Sequence, residues 1–351
     1  MRILFEELST PQRAGGIEAA THALDEHLGK IDVSVTRSSH RSMGDEPDLP
    51  DCVHVHGIWA PQLARRCLFW KSRGVPCVVS PHGMLEPWAL NHKRWKKQIA
   101  WHGYQKRILN GCSLLHATSE REAASLRALK LKPPIAIIPW GIDCQQSDNS
   151  SSLQNSKSSI PKTENTALFV GRIYPVKGLP MLVEAWAKVR PAGWKMKIVG
   201  PDEAGHRAEI EALVGQAGLR GEFEFVGPLN GEDLQRAYED ADLFVLPSHT
   251  ENFSMAVGEA MSHALPVITT HGAPWKLLAD EQCGWWVPVS VCGIASALED
   301  ATQRRAEDLT AMGERGRRVV AARFAWDQIT GQVVDCYQWV LGTVPKPSCV
   351  V

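Results

Sequence analysis

The sequence predicts an α/β protein built from two Rossmann-like domains. Three observations lead there. Short apolar runs alternate with helical patterns along the whole 351-residue chain. The alternation pauses once, in a polar stretch from Gln145 to Asn165, and then restarts. After the restart, three of the runs end directly in glycine. Strand–helix–strand alternation implies parallel strands joined by crossover helices.

In the first half the strand candidates are Arg2–Phe5, Ile31–Val35, Cys52–His56, Val75–Val79, Ser113–Ala117 and Ile135–Ile138. The first helical pattern, Gly16 to Leu28, places Ile17, Ala20, Leu24 and Leu28 on one face. The Ser-, Asn-, Lys- and Gln-rich stretch 145–165 reads as a linker, the alternative being a long insertion within one domain. This gives an N-terminal domain 1–160, a C-terminal domain 161–327 and a tail 328–351. The second set of strands is Ala167–Val170, Met196–Val199, Phe223–Val226, Leu243–Leu246, Val267–Thr270 and Trp286–Val289. Gly171, Gly200 and Gly227 follow the first three, at the sheet edge where open parallel sheets bind ligands.

The length suits two domains that each bury a core. A hydrophobic content of 44% and a charged content of 22% describe a folded globular chain. The formal net charge of −1 supplies no global field toward nucleic acid. Nine dispersed cysteines, without a C-x-x-C pair, read as reduced thiols of a cytoplasmic protein. Cys349 is third from the end and does not fit a prenylation box. No signal peptide or membrane-spanning run is expected.

Two loops carry candidate chemistry. Glu251-Asn252-Phe253-Ser254-Met255 follows the strand Leu243–Leu246 and leads into a helical pattern containing Glu259. With Ser254 as N-cap, that helix would aim unpaired N–H groups and a positive dipole end at a phosphate. The plainer reading is a helix start with surface glutamates. Gly171-Arg172-Ile173-Tyr174-Pro175-Val176-Lys177-Gly178 lies before a helix whose apolar face holds Leu179, Leu182, Val183 and Trp186. Arg172 and Lys177 could clamp a diphosphate, or be two solvated loop cations.

These motifs, in this order, resemble the retaining glycosyltransferases of family 4 (glycosyl transferases group 1, GT-B fold). The matching pieces are Phe169-Val170-Gly171-Arg172 with Lys177-Gly178, Leu246-Pro247-Ser248, Glu251 with Gly258-Glu259-Ala260-Met261, and Pro266-Val267-Ile268. Gly284-Trp285, Phe324-Ala325-Trp326-Asp327, Gly15-Gly16 and Pro81-His82-Gly83 match further. The resemblance implies two domains facing across a cleft, with the tail helix Gln328 to Leu341 crossing back onto the first. It implies transfer of a sugar from a nucleotide-sugar donor to a sugar or lipid-linked acceptor, with retention; with Arg172, Lys177 and a helix end to neutralise the leaving phosphate, no metal or other cofactor is expected. Arg172 and Lys177 would hold the diphosphate, and Glu259 the ribose. Glu251 and, from the opposite domain, His82 would meet the transferred sugar. The backbone around Asn252, Phe253, Ser254 and Met255, and the Gly15-Gly16 loop, would complete the donor site. The competing readings are another GT-B sugar-nucleotide enzyme, such as an epimerase, or a non-catalytic binder. A nicotinamide oxidoreductase is disfavoured, because no G-x-G-x-x-G follows the first strand.

Three further features stand outside these motifs. Asp240-Ala241-Asp242 has the form of a metal-binding Asp-x-Asp but falls between a helix and a strand, so it reads as structural. His54 and His56 share one face of a strand, His54 packed and His56 at the strand end lining the cleft. From Pro87 to Ser119 there is no acidic residue, while Lys93, Arg94, Lys96, Lys97, Lys106 and Arg107 interleave with Trp88, Trp95, Trp101 and Tyr104. That segment either lies on an anionic membrane surface or is a solvated helix with core tryptophans.

Overall fold

Strands buried on both faces favour apolar runs, and most central strands of this chain have them, with buried histidines interrupting Cys52–His56 and Leu114–Ala117. The computed structural model describes residues 1–7, 16–38, 49–91, 93–144 and 164–351. It divides into two units, Met1–Gly141 with Trp326–Val351, and Ile142–Ala325. The Gly15 position and residues 145–163 of the expected linker lie outside the described residues.

The first unit holds β1 (Arg2–Glu7), β2 (Ser34–Arg37), β3 (Cys52–His56), β4 (Cys77–Ser80), β5 (Leu114–Ala117) and β6 (Ile135–Ile137). They form a parallel sheet in the order β2-β1-β3-β4-β5-β6. Every residue of β3, β4 and β5 is buried, whereas edge strand β2 alternates between exposed and half-buried. That edge begins three residues later than the apolar run Ile31–Val35 suggests. The chain leaves helix Gly16–Gly29 through a turn with Asp32 at φ 58°, and pairing starts only at Ser34. In that helix Ala20, Leu24 and Leu28 are buried as expected, but Ile17, in its first turn, is 40% exposed.

The other edge, β6, is covered. Val351 exchanges backbone hydrogen bonds with Ile135, and the Ile137 N–H donates to the Cys349 carbonyl at 2.8 Å. Covering an edge removes a template for unwanted strand pairing. Helix Trp326–Val340 buries Trp326, Ile329, Val333, Cys336 and Tyr337, a spacing that gives one face to this unit. Trp326 lies so close to Gly141 that a Cβ there would sit 2.2 Å from the indole.

The second unit holds β7 (Asn165–Val170), β8 (Trp194–Val199), β9 (Phe223–Gly227), β10 (Leu243–Leu246), β11 (Val267–Thr270) and β12 (Gly284–Val287). Its parallel order is β12-β11-β10-β7-β8-β9. Helix Leu179–Val189 buries Leu179, Leu182, Val183 and Trp186, the face read from the sequence. The glycines at the ends of β7, β8 and β9 do lie on adjoining strands. Gly200, at φ 141°, comes so near Gly171 that a Cβ would lie 2.0 Å from its carbonyl oxygen. The last strand starts two residues before the expected Trp286, because Gly284 already pairs with Val267 at a distance no Cβ would allow.

Helix Ala306–Arg323 approaches the turn after helix Met255–Ser262 equally closely, since a Cβ on Gly313 would stand 1.7 Å from the Ala264 carbonyl oxygen. Backbone cannot yield as a flexible side chain would. Gly313→Ala is therefore expected to destabilise the second unit by about 3 kcal/mol. Urea unfolding should show a lower midpoint at unchanged slope, and an unaltered midpoint would show that the helices separate without penalty.

Candidate functional site

Strand order reverses beside β7, whose neighbours are β8 on one side and β10 on the other. At such a switch point the loops leaving two adjacent strands run to opposite faces and open a crevice. Here the loops after β7 and β10 are the two that the sequence singled out. They are tied together: the His249 N–H donates to the Val176 carbonyl at 2.8 Å. Gly178, at φ 69°, passes so near Pro247 that a Cβ would lie 2.1 Å from its carbonyl oxygen. Only glycine satisfies both demands.

Lys177 and Glu251 meet there. Lys177 Nζ donates to Glu251 Oε1 at 2.6 Å, and the Ser248 hydroxyl donates to the same oxygen. Both side chains are largely shielded, at 15% and 12% exposure, and each is the other's ion-pair partner. The Glu251 N–H donates to the Gly272 carbonyl at 2.9 Å. Phe253 is buried against Trp275 and Phe324, and the Trp275 indole donates to its carbonyl oxygen.

Ser254 does not cap the helix as expected. It sits in the left-handed region at φ 74°, ψ 84° and makes no side-chain cap bond to helix Met255–Ser262. An N-cap serine needs extended backbone to turn its hydroxyl toward the first amides. Its Oγ is buried without a partner, as is Oδ1 of Asn252. A strained residue and two unmet polar atoms in one turn, before a helix N-terminus, form a concentrated polar-binding feature.

The other sequence-predicted residues are placed separately. Arg172 does not join Lys177; its guanidinium, half exposed, pairs with Glu203 and lies 5.7 Å from the Tyr174 ring centroid. Glu259 accepts from the Tyr238 hydroxyl at 2.7 Å, and burial raises its carboxyl pKa. Asp240 ends helix Gly231–Glu239, and Asp242 accepts from the Thr166 N–H at 2.9 Å, joining that turn to β7. Among the described residues no cluster of three His, Cys, Asp or Glu could hold a metal ion. Tyr238 and Glu203 were missed, because their partners stand 21 and 31 residues away with no periodic signal between them; Ser248 lies in the matching Leu246-Pro247-Ser248 piece, which gave it no role.

In the first unit, His82 follows β4 at φ 53°, and its ring stacks against Trp140 and His56. Glu122 holds this turn by accepting from the Gly83 N–H at 2.6 Å and the Thr118 N–H at 2.8 Å. His56 Nδ1 lies 3.2 Å from His82 Nε2, while His56 Nε2 and His82 Nδ1 are buried without partners. Gly16 opens helix Gly16–Gly29.

His54 and His116, the latter missed in the sequence, join one hydrogen-bonded chain whose direction can be deduced. The Ile138 carbonyl, 2.7 Å from His116 Nε2, can only accept, so Nε2 carries the proton. A neutral His116 then offers a bare Nδ1 to the Ser80 hydroxyl at 2.7 Å. Ser80, its proton committed, accepts from His54 Nε2 at 2.7 Å, and His54 Nδ1 accepts from the Tyr337 hydroxyl at 2.6 Å. The structure thus confirms His54 as packed and adds the reason.

The basic segment forms helices Pro87–Asn91 and Arg94–Ala100, then a wider π turn over Trp101–Gln105. Trp88, Trp95 and Ile99 are exposed, Trp95 at 64% and Ile99 at 66%. Lys93, Arg94 and Lys96 are exposed as well, and Lys96 lies 5.3 Å from the Trp95 ring centroid. Lys97 turns inward, donating to the Ala89 carbonyl 5.7 Å from the Trp59 centroid, and Trp101 packs on Trp59. Among the described residues no helix is long and apolar enough to cross a membrane.

Paired Rossmann-like units with a polar site at a switch point define the architecture of GT-B glycosyltransferases. Solved structures agree in fold. Sucrose-phosphate synthase from Thermosynechococcus elongatus matches with a TM-score of 0.78 at 21% identity, over 98% of this chain and 100% of that one. The Anabaena protein HepE in complex with UDP-glucose matches with a TM-score of 0.75 at 18% identity, over 97% and 100%. The model of the glycosyl transferases group 1 matches residues 151–319, and that of Glycosyltransferase Family 4 matches residues 15–146. The chain belongs to the glycosyl transferases group 1. Among curated relatives, the GDP-mannose:cellobiosyl-diphosphopolyprenol alpha-mannosyltransferase of Xanthomonas campestris is 26% identical over 93% of this chain and 85% of its own. An uncharacterized glycosyltransferase of Methanocaldococcus jannaschii is 29% identical over 58% of this chain, and the match spans 52% of its own length.

The buried histidines make stability pH-dependent. Burial holds all four neutral, lowering His82 to about 3, His116 to about 4, and His54 and His56 well below their ordinary value. Between the unfolded pKa near 6.5 and these folded values, the unfolded state binds more protons, so stability falls as pH falls. His82 and His116 alone should remove about 2 kcal/mol each between pH 7.5 and pH 5. Urea unfolding at the two pH values, followed by amide exchange in β3 to β5, checks this. Equal stability at both would mean the rings are not held neutral.

Proposed function

We propose that the chain transfers a sugar from a nucleotide-sugar donor to a sugar or lipid-linked acceptor with retention of anomeric configuration, in polysaccharide, glycan or glycolipid synthesis. The observation that carries this reading is the turn at the β7/β10 switch point. A shielded Lys177–Glu251 pair stands there beside the partnerless oxygens of Asn252 and Ser254, before a helix start. The names of similar proteins support it, one using GDP-mannose and another solved with UDP-glucose.

In this reading Lys177 and the helix N-terminus hold the donor diphosphate. Arg172 joins them by exchanging Glu203 for phosphate. Negative charge grows on the departing diphosphate as the sugar becomes oxocarbenium-like, and these groups stabilise it where it develops. They leave no step that calls for a metal. Glu259 holds the ribose hydroxyls, and the backbone of Phe253, Ser254 and Met255, with the Gly15-Gly16 loop, contacts phosphate or sugar. His82 is kept neutral by burial, so it offers a hydroxyl-binding nitrogen rather than a charge.

The two glutamates should separate kinetically. Glu251 meets the sugar where positive charge develops, so Glu251→Gln should lower kcat by about 100-fold with donor affinity little changed. Glu259 contacts a part of the donor that does not change, so Glu259→Gln should raise donor KM with kcat near wild type. Titration calorimetry beside steady-state kinetics tests both, and full kcat in Glu251→Gln removes that residue from the chemistry.

We also propose that the exposed Trp88, Trp95 and Ile99, with the exposed Lys93, Arg94 and Lys96 of the same segment, rest on an anionic membrane surface at the cytoplasmic face, where a lipid-linked acceptor would be met. Each cation near such a surface contributes about 1 kcal/mol. Replacing Lys93, Arg94, Lys96 and Lys97 with Gln should lower partitioning onto phosphatidylserine vesicles at least 100-fold, the inward-turned Lys97 contributing least. Wild-type protein that fails to sediment with those vesicles at low salt would refute the peripheral position.

A further inference from the structure

Of the nine cysteines, Cys52, Cys67, Cys77, Cys283 and Cys336 are buried, Cys112, Cys144 and Cys349 are half-buried, and Cys292 is exposed. Cys52, Cys67 and Cys77 are buried in the first unit, and burial pushes the Cys67 and Cys77 thiols up to about 12. Cys283 is buried in the second unit and raised to about 11. One pair differs. Cys336 lies on the buried face of helix Trp326–Val340, and Cys349 lies in the segment that covers β6. Their sulfurs are 3.6 Å apart, in contact but not bonded. Both backbones are already fixed, Cys336 by the helix beside Tyr337 and Cys349 by its carbonyl bond from Ile137.

We propose that Cys336 and Cys349 form a reversible redox site, in which a small-molecule disulfide such as oxidised glutathione converts the two thiols to one disulfide that staples the segment covering β6 to the helix. Cys349 is the attacking group. It is only half buried, and its thiol is lowered to about 7 by the hydrogen bond from Cys336, whereas Cys336 is buried and raised. A thiolate near ambient pH is the effective nucleophile for exchange. The Cys349 thiolate attacks one sulfur of oxidised glutathione, a protein–glutathione disulfide forms, and one glutathione thiolate leaves. The Cys336 thiol gives up its proton and attacks Cys349 Sγ, expelling the second glutathione thiolate. Two protein thiols are oxidised by two electrons, and one glutathione disulfide is reduced to two thiols. The partner needed for the second step is already at contact distance, so the mixed disulfide should be short-lived.

The test uses the full chain, reduced and then exposed to oxidised glutathione under native conditions. Intact mass should fall by two hydrogens, and peptide mapping should join Cys336 to Cys349. Oxidised protein should unfold several degrees higher, because the bond closes a loop in the unfolded chain. The Ile135 and Ile137 amides should exchange more slowly, and dithiothreitol should reverse every change. Cys336→Ser should instead keep one glutathione on Cys349, and Cys349→Ser should react at neither position. If Cys336→Ser does not fold, the wild-type mapping and Cys349→Ser still decide the matter. A pair that links only in denaturant, or a bond to any other cysteine, overturns the proposal.

Discussion

The second unit is organised by the reversal of strand order at β7, because that reversal brings two sequence-distant loops to one edge of the sheet. The remaining features there accommodate the approach. Gly178 yields room to Pro247, Gly200 yields room to Gly171, and His249 is tied to Val176. Lys177 and Glu251, separated by 74 residues, can then share a shielded ion pair. A charged pair in such a place is poorly hydrated, and a polar ligand entering the turn would compete for it rather than for water. The same crowding leaves Ser254 strained and two side-chain oxygens unmet. Such local cost is characteristic of sites that bind something.

The first unit uses the opposite electrostatics. Its sheet has no ion pair at the ends of β3 and β4 among the described contacts of His54, His56 and His82; it has neutral rings in hydrogen bonds and stacks. Burial suppresses their charge, so these rings meet their neighbours through hydroxyl groups and aromatic faces, whereas the second unit places a charged pair at its switch point. The division matches the chemistry proposed for transfer, in which a charged leaving group and an uncharged sugar have to be handled together.

The central strands were legible because burial on both faces favours apolar runs, as at Leu243–Leu246; Cys52–His56, where two histidines interrupt the run, also matches the structure residue for residue. The edges were less so. The runs at Ile31 and Trp286 marked strands whose pairing is shifted by a turn at Asp32 and by the close approach of Gly284. At the site, the loops were visible as glycine and charge at strand ends. The separate roles of Glu251 and Glu259 came from family resemblance, since spacing alone does not distinguish them from surface glutamates. Of their partners, Ser248 was visible only within the matching Leu246-Pro247-Ser248 piece, with no role attached, and Tyr238 carries no local pattern. Ser254 shows the limit most clearly. A capping preference describes relaxed backbone, and this serine is held out of it by Phe253, whose ring and carbonyl are both fixed by Trp275.

The chain from Tyr337 through His54, Ser80 and His116 to Ile138 has one further consequence. Its direction is set by its last member, a carbonyl that can accept a proton's hydrogen bond but cannot take up the proton itself. A hop entering at Tyr337 would have to leave through the Ile138 oxygen, and that exit is closed. Although it resembles a conduit, the chain is an insulator, which fixes the tautomers of two histidines and carries no protons between the tail helix and the sheet.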